Sequence, residues 1–166
     1  MVIRRLGRAD LAAFHSYRSD EAVGRYQGWS ALTEPEALAF LDEMSKAVWA
    51  PRGEWLQLAI ADRGTNSLIG DIGICVTPDG TCAELGFTVS PPFQGRGLGT
   101  EALLATIGLL FGHSPVVRVI CITDARNTPS MRLLERAGMK RVATAEAVFR
   151  GETCVEHTYE ISRYDG

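Results

Sequence analysis

The stretch from Glu84 to Thr100, ELGFTVSPPFQGRGLGT, combines a carboxylate with glycines at 86, 95, 97 and 99. It reads as a strand that ends at Pro91-Pro92, then a glycine-rich turn that opens a helix through the apolar run Glu101 to Phe111. Such a junction leaves backbone N–H groups unpaired at a helix start, where the helix dipole also favours negative charge, so it suits an anion. Two familiar phosphate cradles are excluded by spacing. The dinucleotide fingerprint needs a third glycine where Thr100 stands, and the P-loop needs a Gly-Lys-Ser/Thr run that is absent. A second strand-to-helix loop follows at Asp124 to Asn127, with Thr128 as the expected N-cap, Pro129 in the first helical position and Ser130 just behind it.

These groups need a frame. Val2 to Leu6 is a candidate first strand, and Asp10 a candidate N-cap for a helix to about Ser19 with Leu11, Phe14 and Tyr17 on one side. Gly24 to Ser30 breaks the pattern. Thr33 and Glu36 form a capping box for an amphipathic helix to about Trp49. Strand candidates Trp55 to Ala61, Leu68 to Val76 and Thr81 to Ser90 are separated by short turns, which argues for an antiparallel meander. Alternation in the third puts Ala83, Leu85, Phe87 and Val89 on a core face and Cys82, Glu84, Gly86 and Thr88 on a polar, open face.

The helix from about Gly97 to Gly112 is apolar nearly all round, which predicts burial. Val116 to Thr123 is a β-branched interior strand, and the order strand, helix, strand predicts parallel pairing at the glycine turn. A short helix ends at Gly138, and strands near Arg141 to Phe149 and Thr153 to Ile161 meet at a Gly151-Glu152 hairpin. The expected fold is a mixed α/β arrangement: one mostly antiparallel twisted sheet flanked by helices, with a locally parallel strand pair at the cleft.

The 166 residues, 46% hydrophobic, are expected to form one domain over 1–166. A net charge of -3 offers no broad basic field, so nucleic acid is not an expected partner. Arg4, Arg5 and Arg8 interrupt the apolar N-terminus, and the run Ala102 to Phe111 is too short to span a bilayer, so no membrane partner and a cytoplasmic location are expected. Cys75, Cys82, Cys121 and Cys154 lack C-x-x-C spacing and read as core residues, and His15, His113 and His157 lack metal-like spacing, so no metal is expected.

The strand with Q-G-R-G-L-G-T, and N-T-P-S-M-R-L-L-E-R-A-G-M at Asn127 to Met139, resemble the GNAT N-acetyltransferase superfamily. A-E-L-G-F before the first block is similar to its RimJ/RimL-like branch, whose members acetylate protein N-termini or other amines, while L-G-T and L-L-E-R-A-G-M also resemble aminoglycoside-modifying relatives. The resemblance implies acetyl-CoA as cosubstrate. Backbone groups at Phe87, Thr88 and Val89 would hold its pantetheine arm; amides from Gln94, Gly95, Arg96, Gly97, Leu98 and Gly99, with Thr100, would surround its diphosphate. Glycines at 95, 97 and 99 leave room for such a group, and Arg96 could add a cation at the rim or remain a solvated charge.

An amine with a reference pKa of about 10 must lose a proton before it attacks a thioester, and Glu84, beside the open Gly86, is the candidate base. Asn127 matches a residue that contacts the cofactor arm. Ser130 matches a serine near the sulfur and is the candidate donor to the departing thiolate, with Tyr159 as the fallback. A covalent route through Cys82 is a minor alternative. Tyr26 and Trp29 fall where the family builds its acceptor pocket, whereas Trp49 is expected in the core. The expected function is acetyl transfer to a primary amine, with a homodimer as a family-level expectation. The alternatives are a CoA-binding regulatory module without turnover, or an aminoglycoside or polyamine acetyltransferase.

Overall fold

The computed structural model describes residues 1–165. Its elements are β1 (Val2–Arg5), α1 (Leu11–Arg18), α2 (Glu34–Lys46), β2 (Trp55–Ala61), β3 (Leu68–Val76), β4 (Cys82–Val89), α3 (Leu98–His113), β5 (Arg118–Asp124), α4 (Thr128–Arg136), β6 (Lys140–Phe149) and β7 (Glu152–Ser162). The strands form one sheet in the order β1-β2-β3-β4-β5-β7-β6. Only β4 and β5 run parallel, paired at Cys82↔Arg118, Ala83↔Val119 and Glu84↔Ile120; every other neighbouring pair is antiparallel. The mixed sheet with its parallel pair matches the sequence expectation.

Local chemistry explains the turns. Between β3 and β4 the Asp79 carboxylate accepts from the Thr77 hydroxyl (2.6 Å) and from the Thr81 N–H (3.0 Å) and hydroxyl (2.9 Å). These bonds hold its pKa down to about 2. At α2 the Glu36 carboxylate accepts from both the N–H (2.8 Å) and hydroxyl (2.6 Å) of Thr33, completing the expected capping box. Helix α4 ends with Gly138 at φ 81, the Met139 N–H donating to the Leu134 carbonyl at 3.1 Å. The β6–β7 turn is Arg150-Gly151, with φ of 51 and 78, one residue earlier than expected; two left-handed residues match the twist of a two-residue hairpin.

The two sheet faces are buried differently. Leu58, Ile72, Ile74, Ala83 and Leu85 form the apolar face under α3, with Leu103, Ile107 and Leu110 in the same core. On the opposite face, α1 and α2 cover β2 and β3 around a buried ion pair. Arg18 donates to Asp71 at 2.7 and 3.2 Å, and Tyr17 Oη (2.7 Å) and Gln57 Nε2 (3.0 Å) donate to the same carboxylate. The Arg18 guanidinium lies over the rings of Trp29 (4.5 Å) and Phe14 (5.0 Å). Burial and the Asp71 charge push the Tyr17 hydroxyl well above its ordinary pKa.

Several expectations are corrected. Asp10 does not cap α1 with its side chain; its carboxylate instead accepts from Arg4 (2.7 and 2.9 Å) and the Gly7 N–H (3.0 Å). Helix α2 stops at Lys46, which leaves Trp49 outside it and 37% exposed instead of in the core. Helix α3 is not buried all round, since Leu104 is 46% exposed on its outer stripe. The Cys82/Thr88 face of β4 is open only at its middle: Cys82 and Thr88 are buried, whereas Glu84 and Gly86 are half-buried.

Candidate active site

The β4–β5 ladder ends at Glu84↔Ile120. Beyond it lies a cleft of about 670 Å³ between residues 85–89 of β4 and 121–123 of β5. Phe87, Thr88 and Val89 line it from β4; Gln94, Gly95 and residues 97–100 line it from the β4–α3 junction; Asn127 and Ser130 line it from α4, and Tyr26 from the α1–α2 loop. Sequence reasoning therefore brought most of its site residues to one place. Arg96, Glu84 and Trp29 do not line this cleft. Arg96 is exposed, with its guanidinium 5.9 Å from the Phe93 ring centroid.

The three glycines of the junction divide their work. Gly95 and Gly97 have φ of 72 and 79, and an added Cβ would meet nothing within 4 Å, so their backbone conformation demands glycine. At Gly99 a Cβ would lie 2.6 Å from Leu133 Cδ1, so this glycine lets α3 approach α4. The expectation that all three simply clear space for a ligand is corrected at this position. Among the described residues, no N–H from Gly95 to Thr100 has an acceptor in the protein, the first bond of α3 being Glu101 N–H to Gly97 O at 3.1 Å. Thr100 Oγ1 is buried and also lacks a partner. Left-handed turns, a helix start and an orphaned hydroxyl together form a concave donor surface that fits a diphosphate.

The second junction is already satisfied. Arg126 N–H donates to Asp124 Oδ1 (2.8 Å), Asn127 N–H to Asp124 O (2.9 Å), Thr128 N–H to Arg126 O (3.0 Å) and Ser130 N–H to Asn127 Oδ1 (3.3 Å). Asn127, not Thr128, is the N-cap of α4. The cap must be the last non-helical residue, and Thr128 already has its place in the helix. Ser130 keeps a half-buried hydroxyl in the cleft with no protein partner among the described residues.

Glu84 points to the sheet face of Cys75, across β3, two residues before Gly86, which does line the cleft. A Cβ at Gly86 would meet nothing within 4 Å, so space remains beside the carboxylate. Burial first, and the Glu156 charge second, raise the Glu84 carboxyl above its ordinary range. Neither glutamate has an ion-pair partner among the described residues. Cys82 is 5% exposed and does not line the cleft, which offers nothing to a covalent route. Tyr159 is 2% exposed with its hydroxyl donating to Glu135 at 3.2 Å, so it does not serve as the fallback donor.

The α1–α2 loop is tied to β4 by the expected Trp29 and by Gln27, and to the hairpin by Arg150; sequence reasoning missed the last two. Gln27 Nε2 donates to Phe87 O (3.2 Å), and Trp29 Nε1 to Thr88 Oγ1 (3.3 Å). From the hairpin tip, Arg150 donates to the carbonyls of Trp29 (2.6 Å) and Gln27 (3.3 Å). Arg18 left one readable signal: it shares a helix face with Phe14 and Tyr17, where a cation needs a buried partner.

Comparison with known proteins agrees with this geometry. The uncharacterized N-acetyltransferase YnaD of Bacillus subtilis (strain 168) is 27% identical over 141 residues, 85% of this chain and 79% of YnaD. A GNAT-family acetyltransferase from Bacillus anthracis superposes with a TM-score of 0.86 at 26% identity, covering 96% of this chain and 93% of its own. Spermidine N-acetyltransferase from Vibrio cholerae, crystallised with CoA and spermine, shares the fold at a TM-score of 0.82 and 16% identity over 98% and 95% of the two chains. The family model for the acetyltransferase (GNAT) domain matches residues 1–140, and by that match the chain belongs to the GNAT acetyltransferases.

Proposed function

We propose that the protein moves the acetyl group of acetyl-CoA to a primary amine, with Glu84 as general base and Ser130 as donor to the departing sulfur. The observation that carries this reading is the run of N–H groups from Gly95 to Thr100 with no acceptor among the described residues, at a turn that lines the cleft between β4 and β5. That run would hold the diphosphate, and the edge of β4 near Val89 the pantetheine arm, while acetyl-CoA supplies the activated acyl group. Val89 O already accepts from Gln94 Nε2 at 2.9 Å and Phe87 O from Gln27 Nε2 at 3.2 Å, so the other backbone groups of 87–89 are the ones left for an arm.

An amine of pKa about 10 is mostly protonated near neutrality, and a base raised above the usual carboxylate range takes its proton more readily. Because Glu84 stands behind the open Gly86, the proton passes through water. The free Ser130 hydroxyl meets the thiolate from the α4 side; with a thiol pKa of about 8.5 a hydrogen bond suffices. Tyr26 borders the amine's approach. The reading extends to a RimJ/RimL-like enzyme of one domain, cytoplasmic, with a homodimer as its assembly and neither nucleic acid nor membrane as partner.

Glu84→Gln tests the assignment. Acceptor-dependent CoA release should fall by about 10²- to 10⁴-fold while the acetyl-CoA Kd is retained. If the parent protein releases no CoA with peptide, polyamine or aminoglycoside amines yet binds acetyl-CoA, the enzyme reading fails and a CoA-binding module remains.

A further inference from the structure

A second cavity, of about 490 Å³, lies between the α1–α2 loop and the β6–β7 hairpin, and Tyr26 lines both it and the acyl-CoA cleft. We infer that this cavity binds an anionic group of the acceptor, which is therefore a primary amine that also carries a carboxylate, such as an amino acid or an acidic peptide N-terminus, and not a polyamine. The inference rests on the amine-acetylation reading above.

Arg25, Arg126 and Arg150 line its wall. Arg25 and Arg126 lie 5.2 and 5.7 Å from the centroid of the Tyr26 ring, and Arg150 lies 5.2 Å from that of Phe149. Asp124 holds Arg126 through Nε (2.9 Å) and Nη2 (2.7 Å), which leaves its Nη1 donors free. Arg150 spends Nη2 on the carbonyls of Gln27 and Trp29, leaving Nε and Nη1. Arg25 has no carboxylate at ion-pair distance among the described residues. Glu21 and Glu152 also border the cavity, so its net charge is small.

Fixation breaks that tie. Asp124 holds Arg126 and the carbonyls of Gln27 and Trp29 hold Arg150, while Arg25 lies over the ring of its neighbour Tyr26; neither glutamate carboxylate makes a hydrogen bond among the described residues. Pre-organised donors bind an anion without losing further side-chain freedom; carboxylates that are not held can turn to water. Tyr26 and Gly86 both line the acyl-CoA cleft, and the proposed base Glu84, two residues before Gly86 on β4, suits the ammonium end of the same molecule. A polycation would have to seat a second ammonium among guanidiniums.

The test uses acceptor pairs that differ in one charge but match in amine pKa: Ala-Glu-amide against Ala-Gln-amide, and 6-aminohexanoate against 6-aminohexanamide, with spermidine as the polycation. Binding is measured calorimetrically in the presence of CoA, so no turnover is needed. In at least one pair the carboxylate member should bind about tenfold more tightly, the scale of one charge-assisted contact. The pair that discriminates separates a peptide terminus from a small amino acid. Arg25→Gln should bring the ratio toward one, and Arg25→Glu should invert it.

Equal affinities in both pairs, no heat from any of them, or tighter binding of spermidine would overturn the inference. Charge-selective binding without acetylation would count against the proposed function alone. Acetylation without charge selectivity would count against this inference alone.

Discussion

Two strand-to-helix junctions flank the same cleft, and they treat their helix starts in opposite ways. At β5–α4 the chain fills its own donors: Asp124 and Asn127 accept from the loop and from Ser130. At β4–α3 two left-handed glycines turn the chain and leave the N–H groups of 95–100 without acceptors among the described residues. A helix start with its donors filled is a structural joint, whereas one left open has donors to offer water or a ligand, the latter being the role proposed above for this turn. The same contrast runs through the sheet faces. Beneath α3 the core is hydrocarbon, while beneath α1 and α2 the buried Arg18–Asp71 pair sits under the loop that carries Tyr26.

Substitutions at the two junctions should separate these roles. The largest effect is expected at Gly97, where valine would be strained at φ 79 and would crowd the open donors. Acetyl-CoA affinity should fall on the order of a hundredfold by calorimetry, about 2.7 kcal/mol. Next comes Gly99→Val, which meets Leu133 and should lower stability by about 1–3 kcal/mol in urea titration, a packing loss distinct from ligand strain. Asn127→Ala removes a cap and should cost about 1 kcal/mol of stability while changing acetyl-CoA affinity far less than Gly97→Val. Equal affinity losses at Gly97 and Asn127 would erase the distinction.

The smallest effect concerns Glu84. Its folded pKa is raised, so the folded chain holds this proton more tightly than the unfolded chain does. The corresponding stability is complete below the unfolded pKa and lost as pH rises through the folded one. Glu84→Gln should therefore raise Tm at neutral pH, with the gain vanishing in acid where the glutamate is protonated in both states. A lower Tm at neutral pH would show that the ionised carboxylate has a stabilising partner in the fold.

The frame was legible because its signals are local. The β2–β3–β4 meander is marked by short turns, the parallel step by a strand, apolar helix and strand in series, and α2 by Thr33 and Glu36. What escaped depends on partners distant in sequence. Gly99 looks like its neighbours until Leu133 packs against it. The polar face of β4 reads as open because the α1–α2 loop, whose Trp29 meets Thr88, precedes it by dozens of residues, and Arg18 meets Asp71 only in the fold. The cap of α4 was misread by one residue because Asn127 and Thr128 both have capping side chains, and only backbone geometry chooses between them. The Arg150 clamp needs the hairpin tip to reach the α1–α2 loop, which no local pattern announces.

The most direct test of the open junction is amide hydrogen exchange with and without acetyl-CoA. Binding of the diphosphate should slow exchange at residues 95–100, whose N–H groups have no acceptor among the described residues, and leave 126–131 nearly unchanged because that loop is already bonded. Saturating acetyl-CoA with no added protection at 95–100, or with protection centred on 126–131, would contradict the assignment of the β4–α3 turn as the cosubstrate cradle.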